Sequence, residues 1–210
     1  MTFWEFFMDR LPDVMSQTLR HLQITGISVA FAIVVGIPLG IYITRNRHAA
    51  KYILGVANIF QTLPSLALFG LLIPLLGIGI RLAVFVLFLY ALLPIIKNTY
   101  TGIIGVDSAI LEAGKGMGMT SRQLLTMVEI PLALPIMMAG IRISTVINIG
   151  TATIAALIGA GGLGSFIFRG ISIGNNNLIL IGAIPAALLA LFVDWLLGVL
   201  EYRITPKGIR

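Results

Sequence analysis

Few residues in this chain have the types and spacing to do chemistry, and most of them lie in one water-loving stretch, Glu112 to Pro131, which reads EAGKGMGMTSRQLLTMVEIP. Gly114-Lys115-Gly116 has the look of a phosphate loop. It lacks the Ser or Thr after the lysine, and Ala109 stands where the loop needs a glycine, so this chain has no ATP-hydrolysing loop of its own here. Gly159-Ala160-Gly161-Gly162-Leu163-Gly164 satisfies G-x-G-x-x-G, yet it follows an apolar run of membrane-span length, not a strand, and the next acid is Asp194. The expectation is a glycine-rich, flexible turn, with Phe166, Ile167 and Phe168 packing back as a short re-entrant or surface helix. With no cysteine and two isolated histidines, His21 and His48, neither thiol chemistry nor a metal site is expected. No catalytic residue and no cofactor follow from the sequence. What remains in Glu112 to Pro131 is docking chemistry.

The elements that position this stretch follow from composition. Hydrophobic residues make up 58% of 210 residues and charged ones 10%, and the mean hydropathy is +1.03, which places the bulk of the chain in a bilayer. Five apolar windows can span it: Leu22 to Ile43, Tyr52 to Leu76, Leu82 to Ile96, Leu132 to Ile158 and Leu178 to Leu200. The third is short, and its ends extend if Lys97 snorkels. An all-α, five-span single domain is expected, without strands. If the segment between the first two spans is inside, nine bases (Arg45, Arg47, Lys51, Lys97, Lys115, Arg122, Arg203, Lys207, Arg210) are cytoplasmic and four (Arg10, Arg20, Arg81, Arg169) are outside. That asymmetry predicts N-terminus out and C-terminus in. The net charge of +6 is dispersed between spans, which argues against a nucleic-acid partner. Residues 1–21 carry Glu5, Asp9 and Asp13 where a signal peptide would be basic, so no cleaved leader is expected and the segment reads as a surface helix or a frayed tail. Residues 201–210 form a basic tail.

On this topology residues 103–131 are the long cytoplasmic loop. From Asp107 it reads as a short helix, Ser108 to Ala113, then a turn from Gly114 to Gly118, then a second helix from Thr120 or Ser121, with Pro131 opening the next span. Three glycines in five residues allow a sharp reversal, and Met117 and Met119 offer adaptable apolar contact. A knob for a partner's groove and an ordinary solvated loop both fit these residues.

Within the spans, polar groups must face protein or a watery path. Thr62, Pro64 and Ser65 interrupt the second span, and Pro94, Asn98 and Thr99 close the third. In the fourth, Ile141, Ser144, Thr145, Asn148 and Ala152 form one helical stripe, which lines a translocation path or packs against another helix. Arg142 and Asp194 are charges inside spans, and either pair with each other or face a cavity. No aromatic cage for a quaternary ammonium stands within a span.

The spacing of Glu112, Ala113, Gly118, Val128, Ile130 and Pro131 resembles the signature of the membrane subunits of ABC importers, Glu-Ala-(Ala)-three residues-Gly-nine residues-Ile-any-Leu-Pro. Gly114 replaces the third small residue, Val128 an Ile and Ile130 a Leu. Gln61 to Ala67, Tyr90 to Ile103, Gly159 to Gly164 and Thr205 to Gly208 are similar to the osmoprotectant importers for glycine betaine, carnitine and choline. The resemblance implies a type I, methionine-importer-like permease fold and a pore half in the cell membrane, beside a second permease subunit that is identical or homologous. It implies that Glu112, Ala113, Gly114, Gly118, Met119 and Pro131 couple to a cytoplasmic ABC ATPase dimer, which binds the ATP, and that an external binding protein delivers the solute. Thr62, Ser65, Asn98, Ser144, Thr145 and Asn148 are the candidates for the path. A self-contained secondary transporter would need an ion relay and an internal repeat, and the sequence has neither. A scaffold without transport has no use for broken spans and a polar stripe.

Overall fold

The computed structural model describes residues 3–206, in which ten α-helices are joined with one π-helical and one 3₁₀ turn and there is no strand. Lys207 and Arg210 of the basic tail lie outside the described residues.

The helices begin and end where proline and glycine interrupt apolar sequence. Helix α1 (Phe3–Asp9) is short, and α2 (Leu11–Thr44) starts with a proline in its first turn, where a missing N–H leaves no bond unmade. α2 then runs for 34 residues. This corrects the surface segment expected over residues 1–21: only Phe3–Asp9 is separate, and the rest is the beginning of the first span. Val14, His21, Ile24, Thr25 and Ser28 are buried on one helical face, where each polar member finds a backbone carbonyl and His21 Nδ1 is left without a partner. His21 Nε2 lies 2.9 Å from the Ile149 carbonyl, Thr25 Oγ1 donates to His21 O at 2.9 Å and Ser28 Oγ to Ile24 O at 2.6 Å. A hydropathy window registers only that these residues are polar.

The second span is broken. α3 (Arg47–Thr62) and α4 (Ser65–Leu76) meet at 102°. Pro64 disfavours helical geometry at the residue before it, and Leu63 is accordingly extended, with φ −67° and ψ 135°. The Leu63 carbonyl accepts a hydrogen bond from the Tyr90 hydroxyl on α5 (Ile80–Ile104). α5 has 25 residues and outruns the expected third window at both ends, because Asn98 and Thr99 turn inward.

A helical hairpin, α6 (Ser108–Gly116) and α7 (Ser121–Leu124), leads through a π turn (Leu125–Glu129) into α8 (Ile130–Ala152). A 3₁₀ turn (Ile154–Ile158), α9 (Gly164–Ile173) and α10 (Asn176–Ile204) complete the chain. The helix of the expected fourth span, α8, therefore ends at Ala152, six residues short of the expected Ile158. Among the described residues four helices are long and apolar enough to cross a membrane, and there are five spans if the bent pair of α3 and α4 is one broken span.

α5 is the axis of the bundle, with α2 on one side and α8 on the other. Both neighbours approach it through glycine. A β-carbon at Gly40 would lie 2.6 Å from Thr99 Cβ, and one at Gly140 would lie 2.6 Å from Asn98 Cβ and 2.8 Å from the Pro94 carbonyl. Gly140→Ala should therefore lower the melting temperature of the purified protein in detergent, at an overpacking cost of about 1–3 kcal/mol. Gly55 meets nothing within 4 Å, so Gly55→Ala should leave it unchanged or raise it.

Candidate coupling and translocation site

The helical hairpin between α5 and α8 is built by its own caps. The Asp107 carboxylate accepts from the Ala109 N–H at 2.9 Å and starts α6. Thr120 and Gln123 form a reciprocal capping box that starts α7, with the Thr120 N–H donating to Gln123 Oε1 at 2.8 Å and the Gln123 N–H to Thr120 Oγ1 at 3.3 Å. α6 reaches Gly116, so the reversal is tighter than the expected Gly114-to-Gly118 turn. Gly114 is instead a buried residue of the helix. A β-carbon there would lie 2.7 Å from Leu124 Cδ1 and 3.2 Å from Met119 Sδ, which makes Gly114 the point where α6 rests on α7. Gly118 has φ +80° with open space around its α-carbon, so its requirement is backbone conformation, not room. Between these glycines Met117 stands 77% exposed at the tip. Glu112 and Ala113 are exposed on the same hairpin, Met119 is half-buried, and Pro131 is half-buried in the first turn of α8.

Glu129 closes the π turn, and sequence reasoning missed its role. It is 1% exposed and forms an ion pair with Arg45, the residue that ends α2. A charge in a polar loop reads as solvated. The available signal was an acid directly before an apolar span, on the side of the membrane already assigned to Arg45 and Arg47.

The translocation candidates separate into two groups. Thr62 is exposed and Ser65 half-buried at the break between α3 and α4, with Asn58 exposed and Gln61 half-buried in the last turns of α3. A polar surface in the middle of a span is what a solute path requires and lipid disfavours. Asn98 is half-buried and donates to the Pro94 carbonyl at 2.8 Å. Of the two readings of the stripe on α8, packing is the one its burial fits in this conformation: Ile141, Ser144, Thr145, Asn148 and Ala152 are all buried. Asn148 donates to the Leu87 carbonyl of α5 at 3.0 Å, while Ser144 and Thr145 both donate to Ile141 O. In this conformation the stripe is the face by which α8 packs on α5, since small hydroxyl-bearing side chains permit that approach.

The two charges inside spans pair. Arg142 donates through Nε and Nη2 to both Asp194 oxygens at 3.0 Å, and through Nη1 to Glu201 at 3.1 Å. Glu201 lies two turns beyond Asp194 on α10 and had no assigned role in the sequence. At the opposite end of the bundle the glycine-rich turn is tied to α2 by side chains. Gln17 Oε1 accepts the Gly162 N–H at 2.7 Å and Arg20 Nε donates to the Ala160 carbonyl at 3.3 Å. Gly161 and Gly162 adopt φ of +82° and +86° against α2, and α9 follows with Phe166 buried.

Comparison with solved structures places the fold. The MetNI methionine ABC transporter in an inward-facing conformation superposes with a TM-score of 0.83 over 92% of this chain and 96% of that one, at 24% identity. An amino acid ABC transporter crystallised with histidines gives 0.77 at 18% identity, covering 97% and 99%. The fold is that of an importer permease subunit. The chain belongs to the family of binding-protein-dependent transport system inner membrane components, whose pattern matches residues 32–206. Similar proteins include the carnitine transport permease protein OpuCB of Listeria monocytogenes, 49% identical over 98% of this chain and 94% of its own length. The choline transport system permease protein OpuBB of Bacillus subtilis is 45% identical over 98% and 95%. The osmoprotectant import permease protein OsmW of Salmonella typhimurium is 46% identical over 98% and 98%.

The arginine-centred cluster is unequal in its consequences. Arg142→Met strips the counter-ion from two acids, whereas Glu201→Gln leaves the bidentate Arg142–Asp194 pair intact. Melting in detergent should rank wild type above Glu201→Gln and Glu201→Gln clearly above Arg142→Met.

Proposed function

We propose that this chain is the pore-forming half of an ATP-driven importer for quaternary-ammonium osmoprotectants such as glycine betaine, carnitine and choline. The observation that carries the coupling half of this reading is the hairpin of α6 and α7. It is a self-capped, exposed knob with Met117 at its tip, joined without a break to a span. A cytoplasmic ATPase dimer is the partner whose groove this knob would enter, and closure of that dimer on ATP would move α8 as a rigid body. The substrate class rests on the relatives, nearly half identical over almost the whole chain. Recognition is assigned to an external binding protein.

A second permease subunit, identical or homologous, completes the pore in this reading. Two features support it. The polar break at Thr62 and Ser65 and the half-exposed Arg142–Asp194–Glu201 cluster both leave polar groups on a membrane-spanning surface, which a neighbouring protein would cover. Thr62, Ser65 and Asn98 are the path residues that keep this assignment in the present conformation.

The orientation in this proposal is N-terminus out and C-terminus in. A cysteine at exposed His48, introduced into this cysteine-free chain, should react only with membrane-permeant thiol reagents, and one at Asn176 with impermeant reagents as well. Reversed labelling overturns the orientation.

The coupling assignment is tested at Gly118. A β-branched residue at φ +80° is strained by roughly 1–3 kcal/mol, which reshapes the knob without touching the spans. In cells expressing the whole system, Gly118→Val should reduce co-purification of the ATPase and uptake of labelled glycine betaine, carnitine or choline, while the permease still reaches the membrane. Full uptake in this variant rejects the hairpin as the coupling element.

A further inference from the structure

Arg45 and Glu129 form the one ion pair that ties the coupling hairpin to a different span among the described residues. Glu129 is buried at the end of the π turn, one residue before α8, so it moves with the hairpin. Arg45 is the C-terminal cap of α2, and its neighbour Asn46 caps α3 by accepting the Ala49 N–H at 3.0 Å. Glu129 therefore grips the two-residue corner at which the first span turns into the broken second span. The guanidinium is half-exposed and the carboxylate is not, with side-chain exposures of 53% and 2%. A carboxylate held dry with one arginine as its counter-ion is costly to separate from it. The corner must follow the carboxylate.

The geometry behind the pair favours transmission over absorption. Ile37 and Ile41 of α2, Leu125 of the π turn, Ile103 of α5, and Ala133 and Met137 of α8 form one apolar cluster joining the hairpin's end to these spans. The π turn itself is the place where the hairpin's helix changes pitch, a local irregularity of the kind concentrated at working sites. Beyond the corner α3 is uninterrupted until Thr62, where the 102° break carries the exposed polar residues.

We infer that Glu129 and Arg45 are a positioning pair that transmits movement of the coupling hairpin through the α2–α3 corner to the broken span. In this role the pair acts through the elements it joins. This inference rests on the importer reading above, and the test separates the two.

The experiment uses the assembled permease, ATPase and binding protein in proteoliposomes, and reads solute taken up per ATP hydrolysed. Glu129→Gln and Arg45→Gln should each lower that ratio about tenfold while hydrolysis continues, and the double variant should fall no further than either single one, as for two residues acting as one unit. A wild-type ratio in both single variants overturns the inference, as does a multiplicative loss in the double. If Glu129→Gln fails to retain the ATPase, Arg45→Gln decides alone: a lowered ratio supports the pair and an unchanged one rejects it. Absence of ATP-dependent uptake by the wild-type complex would instead reject the importer reading itself.

Discussion

Lipid tails solvate an apolar helix as well as another helix does, so a membrane bundle holds together only where backbones come close enough for dense packing. In this protein that place is α5. Gly40 of α2 sits against Thr99, and Gly140 of α8 sits against Asn98 and the Pro94 carbonyl, at separations a β-carbon would violate. The three helices become one block, and everything that bends or protrudes is attached to it. Buried Ser144, Thr145 and Asn148 belong to the same contact, since small polar side chains let α8 settle on α5 and spend their donors on carbonyls.

The second constraint is that no backbone or charged group can be left to hydrocarbon. Each departure from regular helix has a local answer. The break at Leu63 and Pro64 frees a carbonyl, and Tyr90 of the central helix donates to it. Buried His21 finds the Ile149 carbonyl, and Arg142 takes both Asp194 and Glu201. Such answers come from another element in every case, so the irregular parts are held by the rigid block and cannot relax independently of it. That makes the broken span and the glycine-rich turn positioned features, whose shape the block maintains.

The hairpin of α6 and α7 stands apart from this regime because it is built for water. Its helices are started by side-chain caps, its fold-back needs one residue of positive φ, and its internal contact is Gly114 on Leu124. The joint with the bundle is where a buried carboxylate, an irregular helical turn and an apolar cluster coincide.

The sequence by itself determined the membrane class, the apolar runs that become the long helices and the location of the hairpin. These depend on local composition: apolar runs, Asp107 and Thr120 at the helix starts, the three glycines between Gly114 and Gly118, and Pro64 as a breaker. It also marked Arg142 and Asp194 as charges that need an answer, without saying which. Only the tertiary structure decided that they pair and recruit Glu201, and that Gly114 is a packing residue. It likewise turned the α8 stripe inward, made residues 11–21 part of the first span, and joined Glu129 to Arg45. The reason is physical. Helical periodicity shows that residues share a face, but the partner of that face is chosen by contacts distant in sequence, and in a bilayer a polar stripe suits a neighbouring backbone as well as a water-filled path.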